Sequence, residues 1–115
     1  MNKHVLLITA YNDFECLIEM IKYYHLHYDC YIHIDKKIQI PNKFAASMTQ
    51  YPNVFIVQKY KINWGSYKHI LAFLELMRLA KNKYEYYHIC SGNSFIIKPY
   101  SYIEHFFKLI AARTL

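Results

Sequence analysis

Two periods of apolar residues alternate along this chain. His4-Val-Leu-Leu-Ile-Thr9 is a continuous apolar run, the pattern of a strand buried on both faces of a parallel sheet. Asn12 then offers an N-cap, with Glu15 as its capping-box partner. Phe14, Leu17, Ile18 and Ile21 follow at i, i+3, i+4 and i+7, which predicts a helix over about residues 13–26. Tyr28 to Ile34 reads as a second strand with Cys30, Ile32 and Ile34 on one face, ending at Asp35-Lys36-Lys37. Pro41 to Gln50 predicts a short helix, and Val54 to Val57 a β-branched third strand. Ser66 can cap a helix with an inward stripe of Ile70, Phe73, Leu74 and Met77, and Glu85 to Cys90 is the fourth strand. The segment Ser91 to Ser94 reads as a loop running on to Pro99. Beyond it, Ser101 and Glu104 form a second capping box before Ile103, Phe106, Phe107 and Ile110.

Strand and helix in strict alternation imply an α/β fold, a mostly parallel sheet with helices on its faces, because parallel neighbours need crossover connections. At 115 residues, with no repeat and no low-complexity linker, residues 1–115 are expected to form a single domain. No apolar run reaches the roughly 20 residues that span a bilayer. The run Val5 to Ala10 is too short and too closely followed by Asn12, Asp13 and Glu15 for a signal peptide, so a buried strand explains it better.

The net charge of +6 changes this picture little. Its cations are lysines apart from Arg78 and Arg113, and base readout favours arginine. A solvated lysine surface is therefore expected and nucleic-acid binding is not, with a weaker pull on anionic ligands or a peripheral membrane surface. Cys16, Cys30 and Cys90 are odd in number and lack C-x-x-C spacing, which fits a reducing, cytoplasmic compartment. The histidines are scattered without metal-ligand spacing, so neither a metal nor another cofactor is expected.

Ligands of open parallel sheets sit beyond the carboxyl ends of the strands. Here those ends are Thr9 to Asn12, His33 to Lys37, Lys59 to Gly65, and Ser91 to Ser94. Gly65 and Gly92 are the two glycines, so neither G-x-G-x-x-G nor a Walker loop can be written, which disfavours nicotinamide dinucleotides and P-loop hydrolysis. An ionised Asp35 at a strand end can accept from a ribose hydroxyl or a base N–H, or it can cap a turn. Lys36 and Lys37 can counter a diphosphate or simply be solvated. Trp64 can stack a ring or anchor the helix after it, and Ser91-Gly92 fits a tight turn.

In this order, Leu7 to Phe14, Ile32-His-Ile-Asp-Lys-Lys37, Asn63-Trp-Gly-Ser66, and Tyr86 to Gly92 followed by Ile97-Lys98 and Ile103 to Phe107 carry a resemblance. The chain resembles the Core-2/I-branching family of β-N-acetylglucosaminyl and xylosyl transferases, especially its bacterial members, over nearly its whole length. The resemblance implies a Rossmann-like, GT-A-type donor half of an inverting, metal-independent glycosyltransferase. It further implies a UDP-sugar donor, such as UDP-N-acetylglucosamine, and a glycan acceptor. By position, Asp35 would contact uridine, Ala10 and Tyr11 would line the nucleoside pocket, and Trp64 and Gly65 would border the donor. Lys36, Ser91 and Gly92 complete the candidate substrate-binding set.

Two departures qualify that expectation. Where the family pattern is S-G-x-D-x-P, Ser94 and Ile96 replace the acid and the proline. Family members also continue well past the equivalent of Leu115, and that further part carries their carboxylate base and diphosphate-gripping residues. Glu75, Glu85 and Glu104 are unconvincing bases here, being respectively on a helix face, at the wrong strand end and in a capping box. The chain alone is thus expected to bind a donor and to be truncated as a catalyst. The alternative is a non-enzymatic remnant that self-associates as a homo-oligomer through the surface a lost half would have covered.

Overall fold

The computed structural model describes residues 3–62, 67–91 and 94–97. Elements run β1 (His4–Ala10), α1 (Phe14–Tyr24), β2 (Tyr28–Ile34), α2 (Asn42–Met48), β3 (Val54–Val57), α3 (Lys68–Ala80), β4 (Tyr86–Ser91) and β5 (Ser94–Ile97). They form one α/β sheet of order β3-β2-β1-β4-β5. β1 pairs in parallel with β2 and β4, and β2 with β3, while β5 runs antiparallel to β4 at the edge.

The continuous apolar run explains why β1 is central. Val5 to Ala10 are all buried, so the strand needs a hydrogen-bonding neighbour on each side and a packed layer on each face. On one face Leu6, Ile8 and Ala10 join Cys30, Ile32 and Ile34 of β2, with Leu17 and Ile21 of α1 and Phe44 and Met48 of α2 laid over them. On the other, Val5, Leu7 and Tyr31 meet Leu76, Met77 and Ala80 of α3 together with Tyr84 and Tyr87. Helices thus cover both faces. The connection through α3 runs back across the sheet from β3 to β4, opposite in direction to the two before it, and a constant crossover hand then puts α3 on the opposite face.

Three local expectations are corrected. The Asn12 capping box does not form: Asp13 stands at the N-cap with φ 53° and no side-chain cap bond. Glu15 instead lies 3.4 Å from Lys43 of α2. Asp is among the few residues that tolerate this left-handed geometry.

The inward stripe of α3 is also rotated from the predicted one. Ala72, Leu76, Met77 and Ala80 are buried, whereas Ile70, Phe73 and Leu74 are half-buried. Two of these buried positions are alanines, which a reading weighted to bulky residues overlooks. Ser94 to Ile97, read as loop, form β5, paired through Ser91↔Ser94 and Ile89↔Ile96. The two-residue spacer Gly92-Asn93 was the available hairpin signal. The cap expected at Ser66 and the helix expected after Ser101 lie outside the described residues.

Below α3, one buried polar contact ties β2 to the entrance of β4. The Tyr84 hydroxyl donates to Asp29 Oδ2 at 2.6 Å and lies 3.3 Å from the Tyr31 hydroxyl. Burial and the bond to Asp29 hold the phenol well above its usual range, so it stays a donor. Tyr84→Phe should cost about 1–3 kcal/mol, because it removes a donor from a buried carboxylate. Urea unfolding would measure this, and an unchanged midpoint would show that the contact does not contribute to stability.

Candidate functional site at the carboxyl ends of the strands

Parallel pairing brings the ends of β1, β2, β3 and β4 to one rim. From β1 the sheet grows through β2 to β3 on one side and through β4 to β5 on the other, so connections leave in opposite directions between β1 and β4. Such a point opens a crevice in which open α/β sheets hold ligands.

Ala10 and Asp35 meet at this rim. The Asp35 N–H donates to the Ala10 carbonyl at 3.0 Å, extending the β1–β2 ladder by one step. Asp35 is 4% exposed, and its Oδ1 accepts the backbone N–H groups of Lys37 at 3.0 Å and Ile62 at 3.1 Å. Its carbonyl accepts from Ile38 N–H and from Gln58 Nε2, both at 3.0 Å. The Lys36 N–H donates to the Tyr60 carbonyl at 2.9 Å. These bonds fold residues 58–62 over the tip of β2. Asp35 Oδ2 lies 3.6 Å from Lys37 Nζ, longer than a direct hydrogen bond. The turn-capping role allowed by the sequence is therefore filled by one carboxylate oxygen.

His33, two residues back on β2, reinforces the same segment. Its fully buried ring accepts the N–H groups of Lys59 at 3.2 Å and Tyr60 at 3.0 Å on Nε2. An Nε2 that accepts is unprotonated, so the proton of the neutral ring is assigned to Nδ1, which has no partner. Burial pushes the imidazole below its ordinary value, against the opposing pull of Asp35 and Glu75. Thr9, the β1 residue in register with His33, has its Oγ1 3.0 Å from Nε2 of His69 in the first turn of α3.

Glu75 of α3 is 8% exposed and bonded to Lys59 and Arg78. The Arg78 hydrogen bond, helped by Lys59, holds its carboxyl below the usual range. It is consequently a poor general base. Glu85 lies at the opposite end of the sheet, where its N–H donates to the Lys3 carbonyl. Cys30 and Cys90 are buried free thiols, Cys90 pushed up to about 12 by burial, so neither is a nucleophile at neutral pH.

Of the residues singled out from sequence, Ala10, Asp35 and Lys36 come together. Tyr11 leaves β1 with half its surface exposed, and Ser91 ends β4 in register with Thr9. Trp64, Gly65 and Gly92 lie outside the described residues, as does Glu104. Sequence reasoning missed the acceptor role of His33 and the contacts of Gln58 and His69. A histidine between two strand isoleucines, two residues before an aspartate, was the signal for the first. Among the described residues, no group of three His, Cys, Asp or Glu side chains could hold a metal ion. No described helix is long and apolar enough to cross a membrane. No protein-family model matches the sequence, and no curated protein matches it significantly.

Asp35→Ala should lower stability by about 1–3 kcal/mol and speed amide exchange at Lys37 and Ile62, since two N–H groups lose their acceptor. Asp35→Asn, which keeps a side-chain oxygen, should retain most of the protection. Equal exchange in both variants would show that Oδ1 does not secure these amides.

Proposed function

We propose that the chain binds the nucleotide of a UDP-sugar, UDP-N-acetylglucosamine being the first candidate, as the donor half of an inverting glycosyltransferase of the Core-2/I-branching type. The observation that carries this reading is the rim itself. Asp35 stands at the end of β2 beside Ala10, and residues 58–62 fold over it next to the point where the sheet order reverses. The order β3-β2-β1-β4 with helices on both faces is compatible with a Rossmann-like GT-A donor half. In this reading the base N–H donates to Asp35 Oδ2 in place of the Lys37 ammonium, Tyr11 offers an exposed ring to the nucleoside, and Lys36 and Lys37 counter the diphosphate.

Transfer itself needs a base and a positively charged grip on the leaving diphosphate. Glu75 is committed to Lys59 and Arg78, and Glu85 is at the far end, so the described residues supply nucleotide binding rather than the proton transfer.

A second reading is favoured by one observation. β3 is an edge strand on which Phe55 and Ile56 remain 43% and 37% exposed, a feature suited to pairing with another copy. A stable dimer in sedimentation, without nucleotide affinity, would favour that remnant over a donor-binding half.

Calorimetric titration at neutral pH tests the first reading: UDP and UDP-N-acetylglucosamine should both bind. Asp35→Asn, which keeps the Oδ1 acceptor and replaces the ligand-facing oxygen with an amide, should weaken UDP about tenfold, equivalent to 1.4 kcal/mol. No heat with either nucleotide on the folded protein would overturn the donor-binding reading, and an unchanged affinity would remove Asp35 from the site.

A further inference from the structure

We infer that His33 is a positioning residue: only as a neutral ring does it hold residues 58–62 against the tip of β2, which makes the shape of the nucleotide cleft depend on pH. The ligand part of this inference rests on the proposed function; the clamp itself does not.

The geometry is specific. Two consecutive backbone N–H groups, of Lys59 and Tyr60, converge on a single imidazole nitrogen. A protonated ring carries a hydrogen on each nitrogen and accepts nothing, so one proton on Nε2 cancels both bonds and sets N–H against N–H. The same segment carries Ile62, which binds Asp35 Oδ1, and Tyr60, whose carbonyl accepts from Lys36. It leads directly into Asn63-Trp64-Gly65. Release at Lys59 and Tyr60 therefore loosens the side of the rim at which Asp35 is presented.

The surroundings of the ring set the direction. From β2, Asp35 faces it with a negative charge, and from α3 come Glu75 with a negative charge and His69 with an ionisable ring. Thr9 of β1 is polar without charge, and Tyr60 stacks its ring 5.8 Å away. Lys59 contributes its backbone to Nε2 while its ammonium turns to Glu75. Burial outweighs the two carboxylates, so the native ring gives up its proton more readily than a free histidine. Because its native value is depressed, the clamp is intact above about 6.5, the ordinary histidine value, and is lost as the pH falls below it.

Amide NMR on the full chain, from pH 8 to pH 5, tests the clamp with no nucleotide present. The Lys59 and Tyr60 amides should shift together, with one midpoint below 6.5 shared with the His33 ring nitrogens. At pH 8 those nitrogens should report the Nδ1–H tautomer. Amides that do not follow the ring would overturn the inference.

UDP titrations of wild type and His33→Gln then test the coupling. Glutamine offers a neutral acceptor that cannot titrate, so it should keep binding at pH 7.5. Relative to His33→Gln, wild type should lose about a further tenfold in affinity one pH unit below the midpoint that the amides report, where the competent state falls to about a tenth. Parallel pH profiles for the two proteins would overturn the coupling. Absence of UDP binding at every pH, with the amides still tracking His33, would overturn the donor-binding reading and leave the clamp supported. Should His33→Gln fail to fold, the wild-type amide titration decides the inference alone.

Discussion

The structure depends on one strand that cannot touch water. Val5 to Ala10 are buried on both faces, so β1 is stable only where other strands satisfy its backbone on both sides and helices cover it above and below. That requirement puts β2 and β4 beside it. It sends α1 and α2 to one face and α3 to the other, and it places the ends of the parallel strands on a common rim. The position of Ala10, Thr9, His33, Asp35 and Ser91 relative to one another follows from this register before any side-chain chemistry is considered.

At the rim the problem changes from burying apolar surface to satisfying backbone donors where the ladder ends. The residues 35–38 and 58–62 leave regular structure while still packed against it, so their N–H groups need acceptors other than a neighbouring strand. Two side chains at the end of β2 meet most of that need. Asp35 takes Lys37 and Ile62, and His33 takes Lys59 and Tyr60. Both are buried and both are ionisable, and the form each must keep is opposite in kind: Asp35 serves best with its charge, His33 only without one. Glu75 shows a third solution, a buried carboxylate whose two partners, Lys59 and Arg78, reach solvent, so the pair is screened and anchors α3 rather than storing much energy.

Much of the framework was legible in the residues. The ranges of β2 and β3, the facing of Cys30, Ile32 and Ile34, and the α/β alternation all follow from period and β-branching. What escaped had physical reasons. The α3 stripe was misplaced because Ala72 and Ala80 are buried by their tertiary surroundings, which small side chains do not announce. β5 was read as loop because a four-residue edge strand carries too few positions to show a period. The Asn12 cap failed because Asp13 adopts a left-handed turn and Glu15 reaches α2 instead. At the site, the end of β2 was identifiable from sequence, but the ligands of Asp35 and His33 were not. Apart from the local turn bond of Lys37 to Asp35, their partners are backbone groups 26 and 27 positions away, which no local pattern encodes.

The division of labour within Asp35 reconciles its two readings, which local sequence left equal. A carboxylate has two oxygens, and the turn consumes one: Oδ1 is committed to backbone N–H groups, while among the described residues Oδ2 pairs loosely with the Lys37 ammonium at 3.6 Å. Binding a base N–H at Oδ2 would exchange that ammonium for a hydrogen-bond donor without disturbing the turn. The structural bonds then become an advantage for recognition, because they fix the carboxylate before the ligand arrives and reduce the ordering cost of binding. The same logic gives His33 its place. An acceptor two residues back holds the same segment that Asp35 holds through Ile62, and it does so at a ring whose burial already favours the neutral form, so the two residues act as one support for residues 58–62.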